Sequence, residues 1–223
     1  MTTQGQMPVQ PGDRAPDFVV PAVHEDRTIS LADYREKTPL LLGLFRGLYC
    51  PFCRRAMAQM AASSDHLKSV GVDCLAIVGT ELDNARLYFK FRPTRLALGA
   101  DPQLTTHRSY GVPRPEPTAE LMQMMQDTYI NPTGELPAPL PVASAGAALA
   151  KLDGYQMTPT DQREQEQTFT QLKGQFLIDR DGIVRWSHIE CSDGLSSMGK
   201  FPSHEELLGA AGIVVGNSAR LAT

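Results

Sequence analysis

The pattern of apolar and polar positions cuts the chain into short strands and helices. Residues 17–20 and 27–30 predict a small hairpin, and 31–34 a helical turn. From 39 to 46 the chain is almost continuously apolar, as a strand buried on both faces requires. Residues 53–68 space Ala56, Met57, Met60, Ala61 and Leu67 at roughly helical period, which predicts a helix with one apolar face. A second buried strand is expected over 72–78, a helix over 81–91 and a weaker strand over 95–99. Asp101 and Pro102 read as an N-cap and a first-turn proline, opening a helix that runs to about residue 110. Residues 174–179 and 183–189 alternate around Arg180-Asp181-Gly182, a hairpin signal, and a last helix is expected over 204–211.

Between these two halves, from Pro113 to about Gln167, Pro, Ala and Gln accumulate, so 113–167 reads as an insertion before the final hairpin. Strands alternating with helices and closed by a hairpin predict an α/β fold, three layers around a mixed central sheet. A chain of 223 residues suits one domain burying roughly 70% of its unfolded surface. We expect 1–10 to be a flexible N-terminus and 11–223 to be that single domain.

Charge narrows the partners. The 21 Lys and Arg against 25 Asp and Glu give a net charge of −4, which provides no basic field for nucleic acid or an anionic membrane surface. No apolar run approaches the roughly 20 residues of a membrane span, and the first residues lack the basic and apolar segments of a signal peptide. The expectation is a cytoplasmic protein acting on a small molecule or on another protein. Four cysteines are too few for a disulfide framework at this length. A Cys-x-x-Cys pair in a reducing compartment points instead to redox chemistry or to metal binding.

That pair, Cys50-Pro51-Phe52-Cys53, follows the first buried strand and opens the helix over 53–68. A thiolate is the reactive form of cysteine, and a free thiol near 8.5 is mostly protonated at neutral pH. The unpaired N–H groups and positive end of a helix favour the anion at Cys50, and Arg46, Arg54 and Arg55 are close in sequence. Pro51 fits the first turn, where its missing N–H costs nothing. Cys53 lies one turn on, placed to attack a sulfur bonded to Cys50. Cys50 is therefore read as the nucleophile and Cys53 as the resolving thiol. The other reading is a non-catalytic zinc-binding or protein-interaction module, with His188 and Cys191 completing a tetrahedral donor set.

Four motifs stand in order along the chain: Gly12-Asp13-Arg14-Ala15-Pro16-Asp17-Phe18, Phe45-Arg46-Gly47-Leu48-Tyr49-Cys50-Pro51-Phe52-Cys53, Tyr110-Gly111-Val112 and Phe176-Leu177-Ile178-Asp179-Arg180-Asp181-Gly182. In order and spacing they resemble the peroxiredoxin-like branch of the alkyl hydroperoxide reductase and thiol-specific antioxidant superfamily. The resemblance implies a thioredoxin-like fold and a thiol peroxidase or thiol-disulfide oxidoreductase. Its substrate would be a hydroperoxide or a disulfide, its reductant a thioredoxin-like protein or a small thiol, and no cofactor is implied. Peroxiredoxins resemble one another in a Thr or Ser three residues before the attacking cysteine and a Pro seven before it; here these are Gly47 and Gly43. The arginine that stabilises their thiolate falls on Lys173, which keeps the charge but not the planar two-pronged donor. Gly47 then offers the substrate only a backbone N–H, and Arg46 is the candidate for the missing donor.

Tyr49 and Trp186 are expected to join Gly47 and Pro51 around the substrate. Cys191 is a candidate extra thiol, able to resolve in place of Cys53. Cys74 reads as core, and His24, His66, His107 and His204 as surface or capping residues. Met122, Met124 and Met125 read as a packing stripe within a helix-like segment of the insertion. The insertion as a whole fits either a flap over the site or the arm of a homodimer.

Overall fold

The computed structural model describes residues 7–220. Residues 1–6, most of the segment expected to be flexible, lie outside the described residues. Val9 is already buried, and its N–H donates to the Tyr110 carbonyl at 3.1 Å.

Strands β1 (Val19–Pro21) and β2 (Thr28–Ser30) form the first hairpin, and Leu31–Asp33 a 3-10 turn. Then come β3 (Leu40–Phe45), α1 (Pro51–Ser69), β4 (Asp73–Val78), α2 (Leu82–Phe91), β5 (Ala97–Ala100) and α3 (Thr105–Ser109). The inserted segment holds α4 (Ala119–Asp127), β6 (Tyr129–Ile130), β7 (Leu140–Pro141), α5 (Val142–Leu152) and α6 (Pro159–Thr168). β8 (Gly174–Ile178), β9 (Val184–Ile189) and α7 (His204–Arg220) close the chain.

β3 and β8, buried along their whole length, occupy the inside of a five-stranded sheet of order β5-β4-β3-β8-β9. β3, β4 and β5 are parallel, whereas β8 is antiparallel to β3 and β9 to β8, so the sheet is mixed. α1 packs on β4, and α7 lies beside α1 on β8 and β9. A Cβ at Gly43 would point at Met60 of α1. Its neighbour Leu42 and the paired Phe176 must therefore face the other way. There Tyr110 packs on Phe176 with ring centroids 4.9 Å apart. The expected three-layer α/β fold is what forms, and β3 delivers the chain to the N-terminus of α1 at the carboxyl edge of the parallel strands. No helix among the described residues is long and apolar enough to cross a membrane.

Three expectations change. α3 does not start at Pro102: residues 101–104 form a turn closed by the Leu104 N–H on the Asp101 carbonyl at 2.9 Å. Asp101 still caps the helix, its carboxylate accepting from the Thr106 N–H at 2.7 Å. α7 runs past residue 211 to Arg220, because Leu207, Ala210, Ala211 and Val214 form one buried stripe at helical spacing. Cys74 is only half-buried on β4.

The insertion is ordered by ordinary helix chemistry. Its Ala-rich stretch becomes α5 because Ala is the best helix former, and Val142, Ala145 and Leu149 bury the face turned to the core. α6 opens on a capping box between Thr158 and Asp161. α5 packs against α1, so the segment lies over the cysteine-bearing helix as a flap.

Candidate active site

Cys50 is the N-cap of α1, with extended backbone (φ −83°, ψ 116°), and Pro51 is in the first turn. Its carbonyl starts the helix by accepting the N–H groups of Cys53 and Arg54, both at 3.1 Å. The two sulfurs thus sit at the positive end of a helix of 19 residues. Both are unpaired, and both are buried, with 4% of Cys50 and none of Cys53 exposed.

Beneath them lies a buried charge cluster. Arg46, next after β3, donates from Nη2 to Glu190 Oε2 and from Nη1 to the Phe169 carbonyl at 3.2 Å. Lys173 Nζ meets the other oxygen of Glu190 at 2.9 Å. Glu190 also accepts the N–H of Gly199 at 3.0 Å and of Lys173 at 3.3 Å. Two cations against one carboxylate leave a single positive charge. One thiolate balances it and a second would not.

The thiols divide accordingly. Burial pushes Cys50 up, but the hydrogen bond from Cys53 and the Arg46 charge, with help from Lys173, outweigh it and bring the thiol down to about 6. Cys53 is pushed well up, by burial first and then by its hydrogen bond and the charge on Cys50. Burial also raises Glu190, yet Arg46 and Lys173 hold its carboxyl at about 2. The surroundings thus favour the anion at Cys50 and the proton on Cys53.

Arg54 and Arg55 do something other than expected. Arg54 donates from Nη1 to the carbonyls of Leu48 (2.7 Å) and Tyr49 (3.1 Å), and pairs with Asp153 at 2.5 Å. Its guanidinium also stands 4.3 Å above the Tyr155 ring. Arg55 reaches Asp153 at 2.8 Å and the Leu149 carbonyl at 3.3 Å. Both clamp the insertion onto the cysteine loop rather than facing the thiolate. Tyr49 completes the fastening: its hydroxyl donates to Thr168 Oγ1 at 2.9 Å, since the Thr168 proton is engaged by the Glu164 carbonyl at 2.7 Å.

Between flap and motif a cleft of about 630 Å³ remains, with Cys50, Arg46, Tyr49 and Pro51 on one wall and α4 and α5 on the other. Residues 11–187 match the family model described as AhpC/TSA. The chain belongs to the AhpC/TSA family. Membership makes it a thiol-dependent redox enzyme with a thioredoxin-like fold. Among solved structures, a reduced 2-Cys peroxiredoxin from Plasmodium vivax is 14% identical with TM-score 0.59, over 95% of this chain and 85% of that one. The peroxidoxin BcpB from Mycobacterium tuberculosis is 14% identical with TM-score 0.56, over 93% and 97%. A thiol peroxidase from Chromobacterium violaceum is 14% identical with TM-score 0.52, over 92% and 87%. At such identities these show likeness of fold. No curated protein matches the chain.

For an AhpC/TSA protein the position of Gly47 has a local cause. A Cβ there would stand 2.7 Å from the Tyr49 ring and 3.2 Å from the Gly79 carbonyl, so this loop has no room for a hydroxyl-bearing side chain. Gly47 does not line the cleft, nor does Trp186, which stacks on His188 along β9 with centroids 6.2 Å apart. Trp186 is therefore not brought to the site. Lys173, 1% exposed, is brought into the buried cluster, where it pairs with Glu190 and its charge favours the Cys50 anion.

Cys191 does reach the cleft, in left-handed conformation at φ 62°, and burial pushes its thiol up to about 12. Cys50, Cys53, His188 and Cys191 do not form a metal set: among the described residues no group of three or more His, Cys, Asp or Glu is placed to hold an ion. His107, expected as a surface or capping residue, is fully buried with neither ring nitrogen hydrogen-bonded, and burial brings it down to about 4. His66 and His204 meet each other at 3.1 Å across α1 and α7. Of the expected methionine packing stripe, Met125 packs on the core and, with Met122, lines the cleft, while Met124 is exposed. The residues missed from sequence are Glu190 and Thr168. A buried Glu one residue before a cysteine carries no signal of its own in the sequence.

Proposed function

We propose that this protein is a thiol peroxidase in which Cys50 reduces a hydroperoxide and Cys53 resolves the product. The observation that carries the reading is the buried cluster of Arg46, Lys173 and Glu190, whose single excess positive charge supports one thiolate, at Cys50. The Cys50 sulfur attacks the terminal oxygen of R–O–O–H, the O–O bond breaks, and the alkoxide leaves and takes a proton from water. Cys50 is then a neutral sulfenic acid. The positive charge is again unbalanced, which favours ionisation of Cys53. Its sulfur attacks that of Cys50, the disulfide forms, and water departs. Two thiols have given two electrons to one peroxide.

A peroxide is favoured over a protein disulfide as oxidant because both sulfurs are buried beneath the insertion and the cleft admits only a small molecule. A small thiol can return the electrons by the same route, while a thioredoxin-like reductant needs the flap to open. The proposal sets the protein in the reducing cytoplasm and allows it to act as a homodimer. Cysteine variants test it. Cys53→Ser should react with one equivalent of hydroperoxide and stop at a sulfenic acid trapped on Cys50 by dimedone, and Cys50→Ser should form no adduct. Full turnover in Cys53→Ser would move the resolving role to Cys191 or an outside thiol, and turnover in Cys50→Ser would overturn the assignment.

A further inference from the structure

A second cavity, of about 360 Å³, opens between α1 and α2 and shares no lining residue with the cleft at Cys50. Most of its wall is apolar: Met57 of α1, Phe89 of α2, and Leu96 and Leu98 at β5 are all buried there. The rest of the wall includes Tyr88 and two arginines, Arg54 and Arg92, and no acidic residue. An apolar hollow of this size with a few convergent polar groups has the anatomy of a small-molecule site. Cations without a carboxylate beside them favour a ligand of negative charge.

The two arginines differ in what they have left to give. All three nitrogens of Arg54 are engaged: Nε and Nη2 donate to Asp153 at 3.0 and 2.5 Å, and Nη1 to the carbonyls of Leu48 and Tyr49. Arg92, at the C-terminal end of α2, stands over aromatic rings instead, 5.2 Å from the Tyr88 centroid and 5.5 Å from that of Tyr155. Among the described residues no carboxylate pairs with it and no acceptor takes its side-chain N–H groups. A ring engages the face of a guanidinium and leaves its in-plane donors free, in the fork that matches a carboxylate. Asp153 answers the charge of Arg54, whereas that of Arg92 is unanswered.

We infer that this cavity is a second ligand site, for a compact apolar monocarboxylate whose acid group sits on the Arg92 fork and whose hydrocarbon body lies against Met57, Phe89 and Leu98. The inference does not depend on the peroxidase reading. It does give the bound molecule a physical link to the cysteines, because Arg54 lines this cavity and also holds the two carbonyls that precede Cys50.

Calorimetric titration of the full chain with 2-naphthoate tests it, with 2-naphthamide as the uncharged control of the same shape. The acid should bind saturably with a Kd of about 1 mM or tighter. The amide should bind at least about tenfold more weakly, the loss expected when a charge-assisted hydrogen bond is given up. That comparison needs no variant. Arg92→Gln should bring the acid down to the level of the amide, and Arg92→Lys, which keeps the charge without the fork, should fall between. Ala58→Trp, at an exposed position of α1 on the cavity wall, should fill the space and abolish binding. A ligand seated in the Cys50 cleft would be indifferent to all three changes. Absence of saturable binding, equal affinity for acid and amide, or an affinity that survives Arg92→Gln or Ala58→Trp in a folded protein overturns the inference.

Discussion

Glu190→Gln keeps the shape of the side chain that joins Arg46 to Lys173 and removes its charge. The Glu190 carboxyl is held at about 2, against about 4.3 in an unfolded chain. A difference of about two units at about 1.36 kcal/mol each corresponds to about 3 kcal/mol of stability at neutral pH. Removing one member of a buried ion pair costs about 3–5 kcal/mol on independent grounds, because the partners stay buried without a counter-charge. Since the folded-state value is depressed, this contribution is complete above the unfolded value and disappears as pH falls through about 4 towards about 2. Urea unfolding should therefore find Glu190→Gln weaker by about 3 kcal/mol at pH 7, with the gap closing on acidification. Glu190 also opposes ionisation of Cys50, so iodoacetamide labelling of the variant should titrate below wild type. Equal stability at neutral pH, a gap that persists into acid, or a Cys50 titration moved upward would each refute the charge-cluster argument.

Two further changes probe the same site. Lys173→Met leaves Arg46 and Glu190 as a neutral pair, so Cys50 should titrate above about 6, towards the ordinary value near 8.5; an unmoved midpoint in the alkylation profile would make Lys173 a purely structural partner of Glu190. Gly47→Thr restores the hydroxyl found at this position in peroxiredoxins, but its Cβ would fall 2.7 Å from the Tyr49 ring. It should lower stability by about 1–3 kcal/mol in thermal or urea unfolding without speeding peroxide reduction, and a faster, equally stable variant would contradict the packing.

The parts of this protein that are local in sequence are legible in it. The apolar run ending at Phe45, the cysteines behind it and Pro51 at the first helical position together specify a strand that feeds a helix N-terminus, and the site is built there. Polarity and period also mark the β8–β9 hairpin around Arg180-Asp181-Gly182. What the sequence hides is long-range pairing. Glu190 is 144 positions from Arg46, and Thr168 is 119 from Tyr49; nothing in either neighbourhood announces the partner. Proximity in sequence misleads in the opposite way for Arg54 and Arg55. They follow Cys50 closely, but the turn of α1 carries their side chains to Asp153. Trp186 fails for a different reason: nearness of a strand's end to the site does not bring each of its side chains there, and this one stacks along β9. In the insertion, alanine and methionine announce a helix without saying that α5 would keep its small face unfilled.

Oxidation of Cys50 and Cys53 to a disulfide at the expense of a hydroperoxide can be read from peptide masses. Fully reduced protein is mixed with one equivalent of cumene hydroperoxide, quenched with an alkylating reagent and digested, with and without later treatment by dithiothreitol. The prediction is a peptide spanning Cys50 and Cys53 that has lost two hydrogens, resists alkylation and recovers both on reduction, with Cys74 and Cys191 alkylated throughout. A pair that stays fully alkylatable, or a disulfide that joins Cys50 to Cys191 instead, would contradict it.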